Sequence, residues 1–182
     1  VAAETPELVA QALDAIRLEV EPTRPVVDLD EAVVDDSPLV HPDWEAFGTG
    51  GDVPRDRNVC GELVADPPGV DEAFTAADLV VEDEFRAQRQ YQAYLELRGA
   101  VAVYESGRYT IHLSHQFPFN VRDRLAAALG IRVSDVRVVG HHMGGGFGAK
   151  LDLTVEPYAA LLAKATGRPV KLVLDRSTDL IT

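Results

Sequence analysis

The chain has 182 residues and a mass of 19.7 kDa, 46% of them apolar and 26% charged, which suits one ordinary domain or two small ones and excludes a disordered tail or a fibrous chain. Its 17 Lys+Arg against 30 Asp+Glu give a net charge of −13, which argues against nucleic acid and anionic lipid as partners. No apolar run approaches the ~18 residues of a membrane span, and a lone cysteine, Cys60, excludes an intramolecular disulfide framework and any multi-cysteine metal site. The charge is unevenly divided: residues 1–85 hold 4 basic and 22 acidic side chains (−18), residues 86–182 hold 13 and 8 (+5). The acidic half reads as a solvated face, and the mildly basic half is the one suited to a small anion. The chain begins at Val1 with no basic or apolar leader, so it reads as a piece of something longer whose localisation its start does not give.

In chain order, Thr5-Pro6-Glu7 opens a helix with a hydroxyl cap, a proline where its missing N–H is harmless and an early acid; Leu8, Val9, Ala12, Leu13 and Ile16 follow at helical spacing. Leu18–Val20 predicts a short strand ended by Pro22, and Asp35–Pro68 a long, largely irregular stretch of the kind that lies against a partner or carries function. Val70–Ala77 predicts a short helix and Leu79–Phe85 a strand. Gly99–Tyr104 and Arg108–Ser114 predict a hairpin turning at Glu105-Ser106-Gly107. Phe119–Leu129 is an amphipathic helix stopped by Gly130, and Val136–Val139 a strand that runs into a glycine-rich segment. Val155–Thr166 predicts another helix and Val170–Leu174 a last strand, with Ser177 a cap for a further helix. A hairpin followed by strand–helix–strand alternation predicts an α+β fold, a mixed sheet with packed helices forming part of a larger domain.

The segment Gly144–Lys150 carries the strongest signal. Four glycines in five positions leave the backbone N–H groups uncovered, which permits a nest of donors around an anion or oxo group, and Lys150 adds a positive charge at its exit. It is not a nucleotide loop of either common kind. Counted from Gly144, a phosphate-loop pattern needs glycine at Ala149 and a hydroxyl at Leu151; counted from Gly146, the dinucleotide fingerprint needs glycine at Leu151. The histidines do not suggest a metal site: His141 and His142 are adjacent in a strand and point to opposite faces, and His41, His112 and His115 show no ligand spacing. Cys60, beside Asp56 and Arg57, reads as a quiet thiol. The residues alone leave three readings open: a cofactor-binding piece of an enzyme, a non-enzymatic interaction module with a structural glycine loop, and a phosphate-binding enzyme.

Gly144-Gly145-Gly146-Phe147-Gly148-Ala149-Lys150 resembles the GGGFG(G/A)K loop of the molybdenum hydroxylases, the xanthine dehydrogenase and aldehyde oxidase family. Ser114-His115-Gln116-Phe117-Pro118 is similar to that family's Ser-Thr-Gln-x-Pro segment, Tyr94-Leu95-Glu96 to its Tyr-Leu-Glu-Pro segment, and Val1–Thr5 to the end of its preceding hammerhead domain. The resemblance implies a fragment of the large molybdopterin-binding subunit: residues 1–34 the tail of a hammerhead-like domain, 35–68 an irregular linker, and 69–182 the first part of the molybdopterin-binding domain. It implies a molybdenum–molybdopterin cofactor approached by Gln116 and by the backbone of Gly145, Gly146, Phe147 and Gly148, with no residue here ligating the metal directly. It further implies water-based oxidation of an aldehyde or aromatic heterocycle and [2Fe-2S] and FAD partners on other subunits or domains. A small-molecule substrate, no nucleic acid, no membrane insertion, an oligomer and a cytoplasmic location complete the expectation.

Three departures from the family pattern matter. The family's catalytic glutamate lies near the far C-terminus of the subunit, beyond these residues, so no catalytic residue is expected here and the isolated 182 residues are expected to be inactive. The residue after the loop lysine, a substrate-contacting glutamate in xanthine enzymes, is Leu151, a candidate pocket residue that tilts the expectation away from purines. Leu97 and His115 stand where the family has proline and threonine.

Overall fold

The computed structural model describes residues 1–46 and 56–182. In chain order the elements are α1 (Pro6–Asp14), α2 (Leu29–Ala32), α3 (Val70–Ala76), β1 (Gly99–Glu105), β2 (Arg108–Leu113), α4 (Pro118–Leu129), β3 (Val136–Gly140), α5 (Glu156–Thr166), β4 (Val170–Val173) and α6 (Arg176–Ile181). They divide into two units, Val1–Arg17 with Ala87–Thr182, and Leu18–Arg86.

The first unit is built on a four-stranded mixed sheet in the order β3-β2-β1-β4, so the expected α+β class is the one observed. β1 runs antiparallel to β2 and β4, while β2 and β3 are parallel, joined through α4. Helix α4 packs on β3, α5 packs on β1 and β4, and the two helices touch. Period-2 alternation sends Ala100 and Ala102 of β1 and Tyr109, Ile111 and Leu113 of β2 into one core with Val121, Leu125 and Ala126 of α4 and Ala159, Ala160 and Ala163 of α5. Alanine facing alanine brings α5 close to β1, and Ile111 and Leu125, fully enclosed, each contribute about 1.5–3 kcal/mol of burial. The hairpin turns through Ser106 and Gly107 alone, both with positive φ, leaving Glu105 paired with Arg108. Ala100 sits opposite Leu113, and Leu113 beside Gly140, so the start of β1 and the ends of β2 and β3 share one end of the sheet.

The second unit is held by side chains rather than ladders. Asn58 donates through Nδ2 to the carbonyls of Ala32 (2.9 Å) and Pro38 (3.0 Å) and accepts from the Val40 N–H (2.9 Å), while Arg57 donates to the Ser37 carbonyl (2.8 Å). The expected irregular stretch Asp35–Pro68 contains a 3-10 turn at Trp44–Ala46 and an isolated bridge between Asp56 and Val59; its residues 47–55 lie outside the described ones.

Three local expectations fail. Leu18–Val20 and Leu79–Phe85 form no strand, because among the described residues no segment pairs with them; Leu79 and Phe85 are 80% and 89% exposed. The last helix is capped by Asp175, whose carboxylate accepts from the Thr178 N–H at 2.7 Å, not by Ser177, which lies inside it.

Candidate functional site

Three segments meet at the shared end of the sheet: Tyr94–Arg98 entering β1, Ser114–Pro118 leaving β2 for α4, and His141–Leu151 between β3 and α5. Their backbones are tied directly. The Glu96 N–H donates to the Gly144 carbonyl (3.1 Å), the His141 N–H to the Leu113 carbonyl (2.9 Å) and the Gln116 N–H to the Lys150 carbonyl (3.0 Å).

The glycine loop folds around the Gln116 side chain. Oε1 of Gln116 accepts from the N–H groups of Gly148 (3.0 Å) and Lys150 (3.3 Å), which fixes the amide orientation. With the oxygen held inward, Nε2 faces away from those donors and has no protein partner among the described residues. The loop lies so close that a β-carbon on Gly146 would stand 2.5 Å from Gln116 Oε1, a contact only glycine avoids. Gly145 and Gly148 have φ of +98° and +93°, and Phe147 between them holds φ +51°, a left-handed conformation unusual for a residue with a side chain. Gly146 is buried and the Phe147 ring is exposed. Among the described residues the N–H groups of Gly145, Gly146 and Phe147 make no hydrogen bond, so three successive donors remain available beside the Gln116 amide.

Glu96, which sequence reasoning did not single out as a site residue, anchors this arrangement. Its Oε2 accepts from Ser114 Oγ (2.6 Å), the Gly144 N–H (2.8 Å) and Lys150 Nζ (2.8 Å). Burial opposes the charge on Glu96, but the hydrogen bonds from Lys150, Ser114 and Gly144 outweigh it and hold its carboxyl below the usual carboxylate range. Lys150 therefore does not serve as the outward cation expected from the sequence. It is 2% exposed, paired with Glu96 and set 5.1 Å above the Tyr94 ring, because an ammonium enclosed in the fold requires a counter-charge.

A second network braces the entry to β1 on the last helix. Arg176 donates to the carbonyls of Tyr94 (2.9 Å) and Leu95 (2.7 Å), the Tyr91 hydroxyl donates to Asp179 Oδ2 (2.7 Å), and Arg98 donates to the Ala149 carbonyl in the loop (3.3 Å). Leu151 is half-buried directly after Lys150, its carbonyl accepting from Asn120 Nδ2 (3.4 Å). His112 and His141, which have no sequence proximity, stack with Nδ1 and Nε2 3.1 Å apart. Among the described residues no group of three or more His, Cys, Asp or Glu side chains is arranged to hold a metal ion, and no helix is long and apolar enough to cross a membrane.

Known proteins share this chain's sequence and fold. A nicotinate dehydrogenase large molybdopterin subunit from Eubacterium barkeri is 36% identical over 177 residues, 97% of this chain and 39% of that protein. A probable xanthine dehydrogenase subunit from Bacillus subtilis (strain 168) is 34% identical over 177 residues, 94% of this chain and 22% of that protein. The reconstituted CO dehydrogenase from Oligotropha carboxidovorans superposes with a TM-score of 0.81 at 26% identity, over 96% of this chain and 22% of that one. The chain thus spans well under half the length of the relatives it matches. Residues 55–182 match the molybdopterin cofactor-binding domain family, and with the Gln116-centred glycine loop in place at the end of its sheet the chain belongs to that family and is part of a molybdenum hydroxylase large subunit.

Proposed function

We propose that the intact protein is a molybdenum-dependent hydroxylase or dehydrogenase that oxidises an aldehyde or an aromatic heterocycle with water, and that this chain supplies one wall of its cofactor site. The observation that carries the reading is the cradle at Gln116: an amide held by two loop N–H groups, its Nε2 free, beside the unpaired N–H groups of Gly145, Gly146 and Phe147. Those donors fit a group rich in oxo, hydroxo and phosphate oxygens. The absent β-carbon at Gly146 keeps the loop backbone close against Gln116.

When bound, the molybdenum–molybdopterin group supplies the two-electron redox chemistry and activates water. The chain's own residues orient it. Gln116 Nε2 would donate to an oxygen of the group without titrating, and the backbone N–H groups of Gly145, Gly146 and Phe147 would add donors beside it. The exposed Phe147 ring shields the face next to them from solvent in this reading. Leu151 offers the substrate only apolar contact. The partners of this reading would be iron–sulfur and FAD modules on other subunits or domains that supply the onward electron acceptors, in a cytoplasmic oligomer. Residues 1–34 end a preceding hammerhead-like domain, although residues 1–17 belong to the sheet unit and Glu4, before α1, pairs with Arg168; residues 35–68 are an irregular linker, and residues 69–182 begin the molybdopterin-binding domain. A phosphate-binding enzyme without molybdenum is the weaker reading, since the one loop cation, Lys150, is engaged with Glu96.

Metal and pterin analysis of the intact protein, purified with its partner subunits, tests the proposal. Molybdenum approaching about one atom per large subunit, with a releasable pterin, is expected. An active preparation free of molybdenum overturns it.

A further inference from the structure

We infer that Glu96 is a positioning residue that clamps both ends of the glycine loop to the strand end carrying Gln116, and so sets the spacing between the Gln116 amide and the loop backbone. One oxygen does this. Glu96 Oε2 takes the N–H of Gly144, where the loop begins, and the Nζ of Lys150, where it ends, together with Ser114 Oγ two residues before Gln116. The backbone reinforces the clamp from the same residues, through Glu96 N–H to the Gly144 carbonyl and Gln116 N–H to the Lys150 carbonyl.

Close packing makes the clamp stiff. A β-carbon on Gly144 would fall 2.7 Å from the Glu96 β-carbon and one on Gly146 2.5 Å from Gln116 Oε1, so the loop already rests against both side chains and has no room to move inward. Outward movement requires parting Lys150, which is enclosed, from the carboxylate of Glu96. Packing against Glu96 and Gln116 thus blocks inward movement of the loop, and the Glu96–Lys150 pair blocks outward movement. Glu96 Oε2 is fully engaged by its three donors. Its effect on chemistry runs through Gln116 and the unpaired loop N–H groups. That consequence rests on the functional reading above, whereas the clamp itself does not.

The test uses the intact protein with its partners, as wild type, Glu96→Ala, Glu96→Gln/Lys150→Met and Ser114→Ala. Amide hydrogen exchange of the peptides covering 141–151 is expected to quicken by roughly tenfold or more in Glu96→Ala while β1 and β2 change by less than about twofold. The double variant replaces the ion pair with neutral partners of similar size and is expected to recover loop protection to within about threefold of wild type. Ser114→Ala removes one donor of three and decides the matter if Glu96→Ala does not fold; a loop-confined rise of about threefold is expected. In the same samples, turnover of Glu96→Ala is expected to fall about tenfold or more with KM within about threefold, and the Mo(V) electron paramagnetic resonance signal to broaden or shift. Loop exchange unchanged in Glu96→Ala and Ser114→Ala, or loop and β1–β2 protection lost in equal measure, overturns the clamp. Wild-type protein without molybdenum overturns the functional reading instead, and loop exchange still decides the clamp in that case.

Discussion

Gln116 illustrates how one side chain acquires a direction. A glutamine offers a donor and an acceptor that are interchangeable until the surroundings choose between them, and here the N–H groups of Gly148 and Lys150 claim the oxygen. The free Nε2 is therefore what Gln116 has left to give. Gln116→Ala withdraws the acceptor as well, leaving the partly buried Lys150 N–H unpaired at a cost of about 1–3 kcal/mol. Gln116→Glu keeps an acceptor for both N–H groups but replaces the donor with a negatively charged oxygen. Both variants are expected to lower turnover of the intact enzyme by roughly ten- to a hundredfold, with only Gln116→Ala also loosening the loop. Steady-state kinetics alongside thermal unfolding checks this, and wild-type turnover in Gln116→Glu would show that the amide N–H donates to nothing that matters. Gln116 and the glycines are legible in the sequence because residue type and spacing alone restrict what they can do. Glu96 is not, since its bond to Lys150 joins positions 54 residues apart that meet only through the strand order.

At the scale of elements, what the sequence shows is what local chemistry decides. Thr5 caps α1 through its hydroxyl, Gly130 stops α4 and Ser106-Gly107 turns the hairpin, each readable from a few neighbouring residues. Leu79–Phe85 has the β-branched and aromatic residues of a strand, but among the described residues no strand lies beside it, and a strand's backbone groups need a neighbour that no local pattern supplies. The cap of α6 lies two residues before the one expected because Asp175 and Ser177 are both good caps, and only the backbone shows which is extended. The loop between β3 and α5 depends on a similar long-range fact, the Glu96 carboxylate, which gives the element a pH dependence of definite sign. A carboxyl held below its ordinary value of 4.5 contributes stability that is fully present above that value and is lost as pH falls through the lower folded-state value. Glu96→Gln does not titrate. The melting-temperature advantage of wild type over Glu96→Gln is therefore expected at neutral pH and to shrink as pH falls below 4.5. Melting curves of both proteins across that range check it, and a gap that does not close in acid would mean the Glu96 carboxylate is not what holds Lys150.

The whole molecule is asymmetric in charge and in order: among the described residues the acidic stretch 1–85 holds short helices and one isolated bridge, and the mildly basic remainder forms the sheet and its glycine loop. On the function proposed above, the residue that bears on substrate choice is the one where that loop ends, Leu151. In a xanthine-type site an acid at the position after the loop lysine bonds a polar heterocycle, and sites built around such bonds reject analogues that leave a buried polar group unpaired. Leucine is expected to reverse that preference. A purine pressed against Leu151 would have a polar edge desolvated with no partner, while an aromatic aldehyde or a fused aromatic heterocycle loses nothing by the contact. The intact enzyme is expected to favour benzaldehyde over xanthine by roughly tenfold or more in kcat/KM, and Leu151→Glu to narrow that ratio by improving xanthine rather than by harming the aldehyde. Steady-state comparison of the two substrates with both proteins decides it. A clear advantage for xanthine in the wild type, unmoved by Leu151→Glu, would place the control of specificity on residues other than the one that follows the loop lysine.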